Sequence, residues 1–148
     1  MKGVAVIIKE VRSETIHPLL KNLLSYVTSE KRIADEYSKY IQLPNRKLYV
    51  AERNGIIVGC IGVEIIEYTA YEIKHIAVFP SERGSGMGSE MIDFVCDRHS
   101  LHRIIAETDL DAVEFYRNYG FKVSSLGEKY PGVERFLCEY IMKTNNDI

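Results

Sequence analysis

The chain has 148 residues, a length that predicts one domain spanning residues 1–148. Hydrophobic residues make up 46% of it and charged residues 27%, which excludes a disordered, collagen-like or coiled-coil protein. Nineteen basic and 21 acidic side chains leave a formal charge of −2, too close to neutral for a dedicated DNA- or RNA-binding domain.

The first third of the chain predicts one strand and two helices. Val4–Val11 is apolar and rich in β-branched residues, which is typical of a strand. A helix is expected after Pro18, which a first helical turn tolerates, because apolar residues then recur at helical spacing. They are Leu19, Leu20, Leu23, Leu24 and Val27. Thr28 or Ser29 can cap a second helix, which ends before Pro44. Its apolar stripe is Ile33, Tyr37, Tyr40 and Ile41.

The middle of the chain changes to a period of two residues, which predicts strands. Lys47–Glu52 and Ile56–Glu67 flank Arg53–Gly55, whose Asn-Gly pair supplies the positive φ angles of a tight hairpin turn. Tyr71–Val78 is predicted as a further strand and Phe79–Ser85 as a loop.

The last third of the chain predicts two more helices and three more strands. Apolar residues recur at helical spacing over 86–100, and His102–Ala106 is predicted as a short buried strand. Asp111, with Glu114 three residues later, predicts a capped helix that ends at Gly120. The final predicted strands are Phe121–Ser125 and Val133–Met142. The order β-α-α-β-β-β-α-β-α-β-β predicts an α/β fold with a mixed, mostly antiparallel sheet flanked by helices.

The cysteines and the N-terminus bear on the compartment. Cys60, Cys96 and Cys138 are widely spaced and each lies in an apolar stretch, so we expect three buried free thiols rather than a metal site. The apolar run Val4–Ile8 is too short for a signal peptide or a membrane span. The expected location is the cytoplasm.

A glycine-rich segment, Arg83–Gly88, lies between a predicted strand and a predicted helix. Its alternating glycines let a ligand approach the backbone closely, and free N–H groups at a helix start attract anions. Arg83 adds a cation that suits phosphate. The segment lacks the Gly-Lys-Ser/Thr ending of a Walker loop, and Ser89 stands where a dinucleotide-binding loop needs glycine. We therefore expect a phosphate-binding loop of another kind, with a flexible connection as the alternative.

Two segments resemble motifs of the GNAT superfamily of N-acetyltransferases. Ile76–Gly88 is similar to the acyl-CoA motif of that family, a strand followed by Arg/Gln-x-x-Gly-x-Gly/Ala. Ala112–Phe121 is similar to a second family motif, Ala-x-x-Phe-Tyr-x-x-x-Gly-Phe. The two occur in the family's order and at its usual spacing, and the resemblance is strongest over Glu72–Phe121. The chain departs from the family at Asp109, where many relatives carry asparagine, so no cofactor contact is carried over to that position.

The resemblance implies a site for acetyl-CoA as cosubstrate, without a metal. The loop and the helix start would hold the diphosphate, and the strand before them would pair with the pantetheine arm through its backbone. The residues carried over to the diphosphate are Arg83, Gly84, Ser85, Gly86, Met87, Gly88 and Ser89. Those carried over to the pantetheine arm are Ile76, Ala77 and Val78.

Acetyl transfer from a thioester to an amine needs a proton donor for the departing thiolate. Tyr116 matches the tyrosine that the family uses as a general acid, and a phenol can donate to a thiolate of similar basicity. Tyr116 also shares an apolar stripe with Ala112, Phe115 and Tyr119, so a core position is the alternative.

The amine must lose a proton, because its lone pair is the nucleophile. Glu72, five residues before Ala77, stands where some relatives carry a catalytic glutamate, and it is the predicted general base, acting directly or through water. An ion-paired strand carboxylate is the alternative interpretation. Glu64 and His75 are rival bases, although His75 should face away from Glu72 unless a bulge changes the alternation. The backbone N–H of Val78 is the predicted donor to the carbonyl oxygen.

These inferences predict an acetyl-CoA-dependent N-acetyltransferase that acts on a primary amine of a small molecule or peptide. Four carboxylates would favour a cationic acceptor: Glu64, Glu67, Glu72 and Glu107. The alternatives are a non-catalytic acyl-CoA-binding or regulatory module with the same fold, and a protein that binds another nucleotide. No nucleic-acid or membrane partner is expected. We expect a monomer or a homodimer, since Val133–Met142 can pair across a dimer or lie inside the sheet.

Overall fold

The computed structural model of the protein describes residues 5–143, which form seven strands and four α-helices. The strands are β1 (Ile7–Glu10), β2 (Arg46–Arg53), β3 (Ile56–Glu67), β4 (Ala70–Val78), β5 (Arg103–Asp109), β6 (Lys122–Tyr130) and β7 (Val133–Ile141). The helices are α1 (Pro18–Ser25), α2 (Glu30–Gln42), α3 (Met87–Arg98) and α4 (Val113–Tyr119). A short 3₁₀ helix, Pro80–Glu82, precedes α3. The predicted order of elements is confirmed.

The seven strands form one mixed sheet in the order β1-β2-β3-β4-β5-β7-β6. β4 and β5 run parallel, and the other neighbouring pairs within residues 5–143 are antiparallel. This confirms the predicted α/β fold with a mostly antiparallel sheet. β7 lies inside the sheet between β5 and β6. Of the two arrangements left open for Val133–Met142, pairing across a dimer or a place inside the sheet, the structure has the place inside the sheet.

Helices α1 and α2 cover one face of the sheet. Pro18 is the first residue of α1, and Nδ1 of His17 accepts a hydrogen bond from the N–H of Leu19 at 3.0 Å. Ser29, one of the two predicted caps, is the N-cap residue of α2. The apolar stripes predicted for both helices are buried against β2, β3 and β4, and their buried members are Leu20, Leu23, Leu24, Ile33, Tyr37 and Tyr40.

Helices α3 and α4 cover the opposite face. Their apolar residues join those of the central strands in a second core cluster. The buried residues that the two helices contribute are Met87, Met91, Ile92, Val95, Cys96, Val113 and Tyr116. The sheet is therefore the middle layer of three, and groups on its two faces can meet only where neighbouring strands separate.

The hairpin between β2 and β3 turns at Asn54 and Gly55, whose φ angles are 55° and 77°. The predicted Asn-Gly turn is thereby confirmed. The first strand is shorter than predicted, since β1 covers Ile7–Glu10, and Val4 lies outside the described residues.

The cap predicted for α4 is wrong. Ala112, not Asp111, is the N-cap residue, and it makes no side-chain capping hydrogen bond. Instead Oδ1 of Asp109 accepts hydrogen bonds from the N–H groups of Asp111 at 3.0 Å and Ala112 at 3.2 Å. The last residue of β5 thus organises the turn into α4, because the strand continues to Asp109 rather than ending at Ala106 as predicted.

Cys60, Cys96 and Cys138 are buried and free, as predicted. In the part of the chain that the structure describes, the longest helix is α2 with 13 residues, and no helix has the length and hydropathy needed to cross a bilayer.

Candidate active site

Strands β4 and β5 separate halfway along their length. Their parallel pairing runs from Ala70 opposite Arg103 to Ile73 opposite Ala106, and no later residues of the two strands pair within the described chain. The separation begins where β4 bulges. Gly62 of β3 lies opposite His75 and its neighbour Val63 opposite Ile73, so Lys74 is an extra residue in β4. The result is an opening in the middle of the sheet.

The backbone of β4 presents polar groups to this opening. The N–H of Phe79 donates to the carbonyl of Val58 at 3.0 Å, which fixes the parity of the antiparallel ladder with β3. By that parity the polar groups of Ala77 point toward β3, and those of Ile76 and Val78 point away from it. The carbonyl of Val78 accepts a hydrogen bond from Nε of Arg83 at 3.0 Å. Two of the three residues predicted for the pantetheine arm therefore face the opening with their backbones.

The glycine-rich loop lies directly beyond β4. Gly84 and Gly86 have φ angles of 80° and 85°, and a Cβ added at either would meet no atom within 4 Å. Gly86 is the N-cap residue of α3, and the first intrahelical bond runs from the N–H of Glu90 to the carbonyl of Gly86 at 2.9 Å. The earlier N–H groups of α3, on residues 87–89, thus have no intrahelical acceptor. The loop combines open backbone, free donors and the positive end of a helix, which together suit a phosphate.

Two residues of the loop have packing roles that the sequence analysis missed. A Cβ at Gly88 would lie 2.7 Å from the ring of Phe115, so Gly88 lets the first turn of α3 pack directly against α4. The side chain of Met87 is buried in the core. Each of these two residues can still offer its backbone N–H to a ligand. Ser85 closes the loop from within, since its hydroxyl donates to the carbonyl of Glu82 at 2.5 Å.

Tyr116 is buried, with 4% of its surface exposed. Its ring meets the rings of Phe115 and Phe121 edge-on, with centroids 5.1 Å away in each case. Burial raises the pKa of its hydroxyl well above the usual range, so the phenol stays protonated at neutral pH but is a weaker acid than an exposed tyrosine. Tyr116 comes directly after Phe115, whose ring packs against Gly88 of the loop. This placement is compatible with both interpretations of Tyr116, as acid and as core residue.

The bulge at Lys74 is the exception allowed for in the prediction, and it brings Glu72 and His75 to the same face of the sheet. Glu72 lies directly opposite Glu64 in the ladder, and Nε of Arg46 donates to Glu64 at 2.7 Å. Arg46 in turn contacts helix α2, which identifies this as the α1–α2 face. The Glu72 side chain is 21% exposed and lies 3.5 Å from Nζ of Lys74.

His75 belongs to a polar cluster that sequence reasoning missed. Its Nδ1 lies 2.6 Å from the hydroxyl of Tyr40, and its Nε2 lies 3.8 Å from Oε1 of Glu36. Arg46 joins the cluster by donating to Glu36 at 3.3 Å. Burial lowers the pKa of His75. Burial raises the pKa of Glu36, but hydrogen bonds from Lys39 and Arg46 outweigh this and leave it below its usual value.

The acidic surface predicted for the acceptor is partly neutralised. Glu64 is held by Arg46, as described above. Glu107 accepts hydrogen bonds from Lys129 at 3.0 Å and Arg135 at 3.2 Å, and these lower its pKa. Among Glu64, Glu72 and Glu107, Glu72 has the longest ion-pair distance, 3.5 Å to Nζ of Lys74.

A cavity of about 630 Å³ lies elsewhere, at the start of β6 and the end of β7. It is lined by Gly120, Lys122 and residues 139–143, and none of these was predicted as a site residue. Of the predicted residues, Ile76 and Val78 lie in the unpaired part of β4 and the loop residues follow it, whereas Glu72 lies opposite Ile105 in the paired part.

Comparison with known proteins agrees with this geometry. Residues 44–123, more than half of the chain, match the family model of the acetyltransferase (GNAT) domain. The matched residues include β4, the glycine-rich loop, β5 and α4. An uncharacterised N-acetyltransferase in the lysA 3′ region of Bacillus methanolicus is 32% identical over 78 residues. That match covers 51% of this chain and 65% of the relative, slightly less than two thirds of the relative's length.

Solved structures share the fold. A GNAT family acetyltransferase from Elizabethkingia anophelis with acetyl-CoA bound has a TM-score of 0.71 at 21% identity, covering 93% of this chain and 98% of that one. The aminoglycoside 6′-N-acetyltransferase from Enterococcus faecium has a TM-score of 0.74 at 18% identity, covering 94% of this chain and 98% of that one. The family model spans more than half of the sequence, and the chain therefore belongs to the GNAT acetyltransferase family.

Proposed function

We propose that the protein transfers the acetyl group of acetyl-CoA to a primary amine by direct attack of the amine. The observation that carries this proposal is the open loop around Gly84 and Gly86, placed directly beyond the free edge of β4. Family membership and the acetyl-CoA-bound relative from Elizabethkingia anophelis support the choice of cosubstrate. The aminoglycoside N-acetyltransferase fold supports an amine acceptor.

The residues of the loop fit a diphosphate. The free N–H groups of residues 87–89 and the backbone around Gly84 and Gly86 form a set of donors with no side chain in the way. The macrodipole of α3 adds a partial positive charge at the same place. Arg83 and Ser85 complete the set of predicted contacts.

The free edge of β4 fits the pantetheine arm, which carries amide groups like those of a peptide. Ile76 can pair with those amides as a neighbouring strand would, because its N–H and C=O groups face the opening. The carbonyl of Val78 already accepts a hydrogen bond from Arg83, which leaves the N–H of Val78 for the thioester. Ala77 takes no part in this pairing, because its polar groups point toward β3. The N–H of Val78 can then donate to the thioester oxygen as negative charge develops on it.

Two side chains carry the proton transfers. Acetyl-CoA supplies an activated thioester, whose C–S bond breaks as the C–N bond forms. Glu72 accepts the proton of the amine, directly or through water, which frees the lone pair for attack. Tyr116, which remains protonated, donates its proton to the departing thiolate. Glu72 and Tyr116 act from opposite faces of the sheet, and the opening between β4 and β5 is where their reactants meet.

The direct test is an assay of acetyl transfer to a panel of amines, with small polyamines, aminoglycosides and peptides as acceptors. We expect release of CoA that depends on one acceptor class, and a product heavier by one acetyl group in the mass spectrum. Mass detection is included because the protein itself has three free thiols, Cys60, Cys96 and Cys138, which become accessible to thiol reagents in any unfolded fraction. Binding of acetyl-CoA without transfer to any acceptor would favour the non-catalytic module.

A thermal-unfolding assay distinguishes the acetyltransferase and the non-catalytic acyl-CoA-binding module from a protein that binds another nucleotide. Acetyl-CoA at a hundred times its Kd should add about 2.7 kcal/mol to the free energy of unfolding. Stabilisation by ATP or NAD, with none by acetyl-CoA, contradicts the assignment of the cosubstrate.

A further inference from the structure

Tyr26, the residue after helix α1, contacts the side chain of Arg83, the first residue of the glycine-rich segment. The guanidinium carbon of Arg83 lies 5.2 Å from the centroid of the Tyr26 ring. The same ring meets Phe79, the first residue after β4, edge-on at 6.2 Å between centroids. Tyr26 is 50% exposed, so neither contact makes it a core residue.

Arg83 is thereby held at two points. Its Nε donates to the carbonyl of Val78 at 3.0 Å, and its guanidinium carbon lies over the ring of Tyr26. Within residues 5–143 the two terminal nitrogens of Arg83 have no hydrogen-bond or ion-pair partner. A guanidinium with its Nε engaged and its terminal N–H groups free is prepared to bind an anion.

We propose that Tyr26 is a positioning residue for the diphosphate of acetyl-CoA, and that it acts by holding Arg83 beside the loop. The inference rests on the proposed function, since it needs a diphosphate in the loop of Gly84 and Gly86. Arginine loses much side-chain freedom when it binds an anion, and the aromatic ring removes part of that loss before the ligand arrives. A cation over an aromatic face also gains electrostatic attraction from the ring.

The test measures CoA affinity by calorimetry for the native protein and for Tyr26→Ala, Tyr26→Phe, Arg83→Ala and the double variant Tyr26→Ala/Arg83→Ala. We expect Tyr26→Ala to bind CoA about two- to fivefold more weakly, as the loss of a partly exposed cation–π contact implies. Tyr26→Phe keeps the aromatic face and should bind as the native protein does. Arg83→Ala should bind at least about tenfold more weakly. The double variant should bind no more weakly than Arg83→Ala alone.

A probe without a diphosphate gives a second readout. The KM for S-acetylpantetheine should be the same in the native protein and Tyr26→Ala, whereas the KM for acetyl-CoA rises and kcat stays. Tyr68→Ala, which removes a 90% exposed tyrosine from the turn after β3, is the matched control and should leave CoA affinity unchanged. Thermal unfolding of each variant checks that the fold is retained.

The outcomes separate this inference from the proposed function. The role of Tyr26 is overturned if Tyr26→Ala binds CoA as the native protein does. It is also overturned if Tyr26→Ala weakens CoA binding equally with and without Arg83. Both results leave the proposed function intact. A loss of S-acetylpantetheine use as large as the loss of CoA binding also overturns the role of Tyr26. A native protein that binds no CoA overturns the proposed function, and this inference with it.

Discussion

The hydroxyl of Tyr40 lies 2.6 Å from Nδ1 of His75, and this hydrogen bond connects helix α2 to the bulge of β4. Both side chains are buried. Gly62 makes the contact possible, because it lies opposite His75 in β3 and has no side chain to occupy the space that the Tyr40 ring fills. The same bulge ends the pairing of β4 with β5, so the Tyr40–His75 bond helps to fix the opening that the proposed site uses.

Gly62→Ala is expected to destabilise the protein by about 1–3 kcal/mol, the usual cost of excess volume in a packed core. The added Cβ would overlap the hydroxyl and ring of Tyr40, a buried side chain that has no free space to move into. Urea denaturation measures the change. The matched control is Gly59→Ala in the same strand, where the nearest atoms would be 3.2 Å away and include the flexible end of Met91. Equal destabilisation by the two variants would contradict this account.

The stability of the protein should fall between pH 7.5 and pH 5.5 through His75. Burial lowers the pKa of His75, an effect that Arg46, Lys74 and Lys39 strengthen and that Glu36 opposes. Near its ordinary pKa of about 6.5 the unfolded chain takes up a proton that the native chain does not. The contribution of neutral His75 to the free energy of unfolding is therefore complete above that pH, and it is lost as the pH falls toward the pKa of His75 in the native protein. One such group changes the free energy of unfolding by up to about 1.4 kcal/mol per pH unit.

His75→Asn tests this prediction, since its amide oxygen can accept the Tyr40 hydrogen bond and does not titrate. We expect the drop in urea-denaturation free energy from pH 7.5 to pH 5.5 to be smaller in His75→Asn than in the native protein. Part of the drop should remain, because burial also lowers the pKa of His99. His102→Asn, at an exposed histidine, should keep the native drop. An unchanged drop in His75→Asn would show that His75 is not the group responsible.

Local patterns were enough to predict the order of the elements, but not the details that depend on pairing. The Asn54–Gly55 turn and the loop glycines were predictable because positive φ angles favour these residue types. The bulge at Lys74 was not, since only the register with β3 reveals an extra residue. The extension of β6 to Tyr130 was also missed, because most of its residues are exposed and polar and show no apolar alternation.

The candidate site was predictable in the same uneven way. Motifs that are continuous in sequence, such as Arg83–Gly88, were found. Contacts between distant residues were not, as Arg46 with Glu36 and Glu64 shows, because no sequence pattern connects residues of α2, β2 and β3. The sequence motif identifies Gly88 only as a ligand-binding residue, since its contact with Phe115 depends on how α3 packs against α4.

Tyr116→Phe is expected to lower kcat at least tenfold and to leave acetyl-CoA affinity unchanged. The substitution removes the proton donor, and no described residue forms a hydrogen bond with the Tyr116 hydroxyl that the fold would lose. Steady-state kinetics and calorimetry measure the two quantities. Tyr119→Phe, on the same helix, is the matched control, since the Tyr119 hydroxyl donates to Asp93 at 2.5 Å on the surface and should not affect kcat. An unchanged kcat in Tyr116→Phe would leave Tyr116 as a core residue.

Glu72→Gln is expected to lower kcat/KM about a hundredfold near pH 7, the lower end of the usual effect of a general base. The defect should shrink as the pH rises toward 10, because alkyl amines then lose their proton in solution and need no base. A pH–rate profile of native and variant enzymes with the same acceptor measures this. A defect of constant size across the profile would mean that Glu72 contributes through charge or structure rather than through proton transfer.

Glu64→Gln tests whether the general base is Glu72 or Glu64, the residue opposite it in the ladder. Its carboxylate holds Arg46, whose side chain is only 9% exposed, so its loss leaves part of a buried cation unpaired. We expect a lower free energy of unfolding, by about 1–3 kcal/mol, and a change in activity that does not depend on pH. If instead Glu64→Gln shows the pH-dependent defect and Glu72→Gln does not, the base is Glu64. The two carboxylates lie opposite each other on one face, so their different partners, Arg46 for one and Lys74 for the other, decide which is free to accept a proton.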